Sequence, residues 1–350
     1  MLLEAFSGTQ LDWTLQLSES LLVRVHYIVR CDGIPKDYDI KEIEQRLSDA
    51  TRAWTDDLRL ALIEQCGEGR GVKLYRRYQQ AFPTGYRSDW PAAAAVADIG
   101  RLEQLEERGG AIINLYRPQL DQDEILRCKL YSAEGVTLSA VLPTFEHMGA
   151  RVMYERPYRI MPAQSEPAWI YDFTLHCSAG RLERVRDTFE EVFLAARRRE
   201  IEDDQLNGLV LGAELTGREI VALRAVARYL RQAGIPYSDA YLQRTLLAHP
   251  EIAEGLVELF LARFDPEARD KDKAEQLGEQ IAALIDAVES LDEDRILRGF
   301  LTVIRAMLCT NYFRQDSSGE PLPYLSIKVE PNEIALLPKP RPKFEVFVYA

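Results

Sequence analysis

Between residues 216 and 313 the apolar positions recur every three or four residues, and then the period changes. Thr216-Gly-Arg-Glu219 has the form of a capping box, in which the hydroxyl meets a backbone N–H and the glutamate reaches back. Ile220, Leu223, Ala227 and Leu230 carry the stripe that follows, Ser238 caps the next helix, and Pro250 suits the first turn of the one after. Residues 271–311 read as one long helix or a broken pair, with the break at Asp292-Glu-Asp294. Beyond it the chain is extended and rich in proline: Pro321-Leu-Pro-Tyr-Leu-Ser-Ile-Lys-Val329, then Leu337-Pro-Lys-Pro-Arg-Pro-Lys-Phe-Glu-Val-Phe-Val-Tyr349. The last run alternates Phe344, Val346 and Val348 against Glu345, Phe347 and Tyr349, the period of a strand. A strand needs partners for its backbone groups. The expectation is therefore an excised segment of a longer protein, in which residues 319–350 lead into a domain not present here.

Upstream, strand and helix periods alternate. Residues 112–116 read as a strand, and 125–131 as another with Leu126, Cys128 and Leu130 inward and Arg127 and Lys129 outward. Thr137 is positioned to cap a helix through Met148, which Gly149 ends in the place of a left-handed cap. Residues 151–160 form a third strand, and Trp169, Tyr171, Phe173 and Leu175 alternate in a fourth. A helix over 182–198 carries Val185, Phe189 and Val192 on one stripe. The order β-β-α-β-β-α describes four strands with two helices on one face, a ferredoxin-like arrangement. Before it come a strand over 21–30 and a long amphipathic helix through Ile40, Ile43, Leu47, Ala50, Trp54, Leu58 and Leu62. Gly67-Glu-Gly-Arg-Gly71 breaks that helix, and further helices run to about Gln80 and over 92–105. The fold class is α+β: a ferredoxin-like domain at 109–202, an all-helical region at 203–318, and a smaller α+β piece at 1–108 in front.

Charge narrows the function classes. The formal net charge of −13 repels phosphate backbones and anionic lipid, which disfavours nucleic acid and membranes as partners. No apolar run approaches the roughly 20 residues that a spanning helix requires, and the start lacks the basic and apolar parts of a secretory signal. Five cysteines without Cys-x-x-Cys spacing suit reduced, buried thiols in a cytoplasm.

Arg228-Tyr-Leu-Arg-Gln-Ala-Gly-Ile-Pro-Tyr-Ser-Asp-Ala-Tyr-Leu242 resembles the large NAD-dependent glutamate dehydrogenases of bacteria. So do Ala248-His-Pro-Glu-Ile-Ala253, Leu259-Phe-Leu-Ala-Arg-Phe-Asp-Pro266, Thr310-Asn-Tyr-Phe313, Trp169-Ile-Tyr-Asp-Phe173 and Ala50-Thr-Arg-Ala-Trp-Thr-Asp-Asp-Leu58. Gly135-Val-Thr-Leu-Ser-Ala-Val-Leu142 with His147-Met-Gly-Ala-Arg-Val-Met153 is similar to the first helix and second strand of ACT domains, small modules that often bind amino acids. The resemblance implies a parent that converts L-glutamate, NAD and water to 2-oxoglutarate, ammonia and NADH. It also implies a cytoplasmic homo-oligomer, with a tetramer as the family expectation, and catalytic residues beyond Ala350. In ACT modules the turn after the first helix commonly contacts the effector, which makes His147, Met148 and Gly149 the candidate effector site for a free amino acid. Capping alone also explains Gly149.

Other candidates are weaker. The glycine run at 67–71 follows a helix, whereas a dinucleotide fingerprint follows a strand, so NAD has no visible seat in this chain. His176 and Cys177 are neighbours on a strand and point to opposite faces, and the histidines offer no metal cluster. Asp56 and Asp57 diverge on a helix surface, Arg197-Arg-Arg199 suits a helix end, and Ser139 has no triad frame. The reading that follows is a regulatory and assembly segment with no catalytic residue of its own, packing against its own catalytic domain and other subunits. The alternative is a ligand-free structural scaffold.

Overall fold

Each run of alternating residues finds a partner strand in the computed structural model, which describes residues 6, 8–16, 24–31, 40–41, 43, 53–117, 124–177 and 182–350. Two units emerge, one of Met1–Ile99 with Pro162–Gln164 and one of Gly100–Met161 with Ser165–Ala350.

In the first unit, β1 (Gly8–Gln16) pairs antiparallel with β2 (Arg24–Cys31), with Trp13 opposite Tyr27. The expected early strand is thus present from Arg24; residues 21–23 lie outside the described residues. Its partner is an upstream strand of this chain that the sequence reading did not place. Leu47 and Ala50 of the expected long helix also lie outside the described residues, and α1 runs Trp54–Cys66. Gly67, at φ 78°, ends it, and α2 (Glu68–Tyr78) begins at once. A methyl group on Gly71 would lie 2.7 Å from the Leu62 carbonyl oxygen, so the two helices meet backbone to backbone where only hydrogen fits. After α3 (Thr84–Asp89) comes α4 (Ala92–Arg108). Trp54, Phe82 and Tyr86 pack ring on ring, with Phe82 and Tyr86 4.6 Å apart, and the Tyr86 hydroxyl donates to the buried Asp98 carboxylate at 2.5 Å.

The second unit holds the ferredoxin-like sheet. Strands β3 (Ala111–Tyr116), β4 (Ile125–Ser132), β5 (Arg151–Ile160) and β6 (Ala168–His176) lie in the antiparallel order β3-β4-β6-β5. That is the ferredoxin-like order with the last strand moved to the front of the chain. Helices α5 (Leu138–His147) and α6 (Leu182–Arg197) supply Phe145, Phe189 and Phe193, which meet Leu126, Cys128, Phe173 and Leu175 in a closed core.

Two expectations need correction. Lys129, read as outward, is only 4% exposed, opposite Asp172 at 2%. The outer face is covered as well: Arg101 of α4 donates to Asn114 and lies over the Tyr131 ring, while Arg127 pairs with Asp172. Thr137 does stand at the cap position of α5, but its hydroxyl makes no cap bond and instead accepts from Ser139.

The helical region follows through a 3-10 turn (Gln205–Gly208), α7 (Leu209–Gly212), α8 (Gly217–Gln232), α9 (Asp239–Ala248), α10 (Pro250–Phe264), α11 (Lys271–Asp286) and α12 (Leu291–Ala306). The Thr216 capping box forms on both arms. Residues 271–311 do split into a pair, but the break falls ahead of Asp292-Glu-Asp294. Ser290 caps α12, and those acids occupy its first turn, where the helix dipole favours negative charge. The second helix stops at Ala306, because β7 (Met307–Thr310) starts a third sheet of order β7-β8-β9 with β8 (Leu325–Val329) and β9 (Glu345–Tyr349). β9 pairs with β8 and turns Phe347 and Tyr349 inward, leaving Val346 and Val348 62% and 56% exposed. One continuous core joins the ferredoxin-like sheet, the helices and β8. No described helix is long and apolar enough to cross a membrane.

Candidate functional site

After α6 the chain turns at Arg199, whose φ of 61° is left-handed, and runs through Glu202-Asp203-Asp204. Together these three carboxylates grip α5, α8, α9 and β9. Asp203 accepts a hydrogen bond from the Thr144 hydroxyl of α5 at 2.8 Å, and its other oxygen lies 2.9 Å from His147 Nδ1. Thr144 is fully buried, so its hydroxyl needs such an acceptor. Asp204 caps the 3-10 turn through the Leu206 amide and accepts from Gln243 of α9 at 3.1 Å. It also takes the Arg224 guanidinium of α8 in a two-pronged pair, at 2.8 and 2.9 Å. Glu202 accepts from Arg228 of α8 at 2.6 Å and from the Tyr349 hydroxyl of β9 at 2.9 Å. Tyr229 of α8 adds a second tie to β9, donating to Glu345 at 3.0 Å while its ring meets Phe347.

Burial sets the electrostatics here. Arg224 is 1% exposed. Burial alone would lower its pKa, but the hydrogen bonds and charge of Asp204 raise it above the ordinary arginine value, so the guanidinium stays charged. Arg224 also donates to Asn207 at 2.9 Å, while its Nη1 is buried without an acceptor. Burial, opposed by Arg224 and reinforced by Glu202, pushes the Tyr349 hydroxyl up to about 12.

His147, Met148 and Gly149 come together at the turn after α5, with Met148 inside, His147 half-buried and Gly149 exposed. Met148 is fully buried. Gly149 has φ 76°, and a side chain on it would begin 3.8 Å from Gly208 Cα; a methyl on Gly208 would in turn lie 3.3 Å from the His147 carbonyl. The 3-10 turn thus rests on the tip, and His147 faces Asp203.

The sequence reading passed over Asp203, Asp204 and Arg224. A run of acids between two helices ordinarily reads as solvated. Arg224 did leave a signal, because it occupies the position between Leu223 and Ala227 on the apolar stripe of α8, where an unpaired charge would be costly. His176 lies 2.9 Å from Glu124, and burial pushes the Cys177 thiol up to about 11. Among the described residues no group of three or more His, Cys, Asp or Glu is placed to hold a metal. In the glycine run 67–71, Gly67 ends α1 and residues 68–71 open α2, with no strand before them, which does not fit a pyrophosphate cradle.

A ferredoxin-like sheet tied by a polar clamp to a helical region and to β9 defines an α+β protein built of successive domains. Domain families follow one another along it: glutamate dehydrogenase ACT2 domain at 1–55, helical motif 2 at 61–105, ACT3 domain at 111–188 and helical motif 3 at 201–266. The family described as bacterial NAD-glutamate dehydrogenase, catalytic domain, matches 280–350, opening within the helical run ahead of the extended strands. Proteins named NAD-specific glutamate dehydrogenase from Halomonas elongata, Pseudomonas aeruginosa and Mycobacterium tuberculosis are 39%, 36% and 33% identical over 99%, 100% and 100% of the chain. The chain belongs to the bacterial NAD-glutamate dehydrogenase family. It spans 22–23% of the length of those three relatives.

Proposed function

We propose that this chain is the regulatory and assembly segment of an NAD-dependent glutamate dehydrogenase. In this reading the parent polypeptide is cytoplasmic and homo-oligomeric, a tetramer by family expectation. It converts L-glutamate, NAD and water to 2-oxoglutarate, ammonia and NADH with catalytic groups outside these 350 residues. The observation that carries the proposal is the clamp at Glu202-Asp203-Asp204. A single three-residue stretch holds the tip of the ACT-like unit through Thr144 and His147, and β9 through Tyr349. β9 lies inside the stretch matched by the catalytic-domain family, so a shift of the tip would be felt at that strand.

The magnitudes suit such a role. A free amino acid that engaged the tip at His147 and Gly149 would have to loosen the Asp203 contacts, each worth about 1.5–3 kcal/mol as hydrogen bonds to a charged group. Ligands of millimolar to micromolar affinity supply about 4–8 kcal/mol, enough to bias two packings of the turn. The burial of Met148 and the contact of Gly149 with Gly208 favour the second reading, a ligand-free scaffold whose tip is filled by its own chain. Thermal melting in the presence of each of the twenty free amino acids separates the two. A saturable rise in Tm that is lost in His147→Ala supports regulation, and no rise with any amino acid leaves the scaffold.

A further inference from the structure

On a chain of net charge −13, four cations gather at one place. Arg263 in the last turn of α10, Arg269 in the loop after it, Lys271 at the start of α11 and Arg305 in the last turn of α12 line an open cleft of about 640 Å³. Among the described residues none of the four forms an ion pair. Glu275 and Glu279 line the same cleft, so it carries a surplus of two positive charges, four cations against two carboxylates.

The cleft is constructed around Arg263. One of its terminal nitrogens donates to the carbonyls of Arg305 and Met307, at 3.0 and 2.9 Å, which fixes the guanidinium plane. Its Nε is buried without an acceptor. Burial first, then the neighbouring charges of Arg269 and Arg305, pulls its pKa below the ordinary arginine value. Gly278 leaves room for Arg305: a methyl there would meet the guanidinium at 2.5 Å. Like charges held together in a concave site are stabilised by an anion that fills it. The volume is that of a small-molecule site, about 300–1,000 Å³, which a flat acidic surface of another protein would leave empty.

We propose that this cleft binds the phosphate group of a phosphorylated small molecule, with Arg269, Lys271 and Arg305 on the phosphate oxygens and Glu275 and Glu279 facing hydroxyl or amine groups of the remainder. Arginine forks with a lysine match a dianion with three acceptor oxygens better than they match a single carboxylate. The proposal stands on α10, α11 and α12 alone and does not depend on the ACT-like tip or on the catalytic reading.

The test is titration calorimetry of the 350-residue chain with inorganic pyrophosphate, against sodium chloride of equal ionic strength, repeated with the exposed pair changed together, Arg269→Ser with Lys271→Ser. Because both residues are exposed, the double variant keeps its fold, which its melting curve verifies. The expected result is saturable binding of pyrophosphate and a loss of about tenfold or more in the double variant, the size of one lost charge-assisted hydrogen bond. Absence of saturable binding overturns the proposal. So does a heat that chloride reproduces, or an affinity that the double variant retains.

Discussion

Arg224 shows how one buried residue can lock a helix to the turn that precedes it. Its guanidinium is buried, is spent on Asp204 and Asn207, and lies on the face of α8 that otherwise carries leucine, isoleucine and alanine. Removing one member of such a pair leaves the other charge without compensation, at about 3–5 kcal/mol. Arg224→Met is therefore expected to lower the unfolding free energy obtained from urea denaturation by about 3–5 kcal/mol, whereas Arg231→Met, which loses only exposed contacts on the same helix, should lower it by about 1 kcal/mol or less. The inward tyrosines set a second expectation. Burial pushes Tyr349 up to about 12, and it raises Tyr229 and Tyr312 in the same direction. A tyrosine of ordinary pKa, about 10, ionises in the unfolded chain while the folded one stays protonated. Their contribution is thus fully present below pH about 10 and is lost as pH rises toward 12. Urea midpoints should fall across that window, and less steeply in Tyr349→Phe; a flat profile would count against burial of these hydroxyls.

Local periodicity made most elements legible. The stripes of α8, α10, α11 and α12, the Thr216 box, the Ser238 cap and the alternation of β6 and β9 are written into neighbouring residues, and each formed. What was missed depends on partners far along the chain. Lys129 reads as outward until α4 covers that face of the sheet, and Asp203 reads as solvated until α5 is folded against it. β1 was the exception, because Leu11, Trp13 and Leu15 alternate locally and could have been found. Gly71 illustrates the same limit: its run looks like a flexible connector, yet the structure uses it as a contact. Gly71→Ala should destabilise the first unit by about 1–3 kcal/mol, the range for overpacking against fixed backbone. Gly69→Ala, with open space around it, should be neutral or better. Chemical denaturation of both variants compares them directly.

For the whole molecule, architecture and family were within reach of the sequence, while the site was only partly so. The turn at His147, Met148 and Gly149 was legible from the helix period and the Gly149 cap, but the carboxylate that holds it, Asp203, comes from the segment after α6 and is visible only once the chain is folded. In the proposed function this segment serves coupling and assembly, with the hydride chemistry elsewhere in a longer polypeptide; the named relatives are more than four times as long as this chain. The most direct test is NAD-dependent oxidation of L-glutamate, followed as NADH absorbance, by the 350-residue chain and by the polypeptide extended several hundred residues further. The account predicts NADH formation by the extended polypeptide and none by the chain alone. Turnover by the chain alone would contradict it.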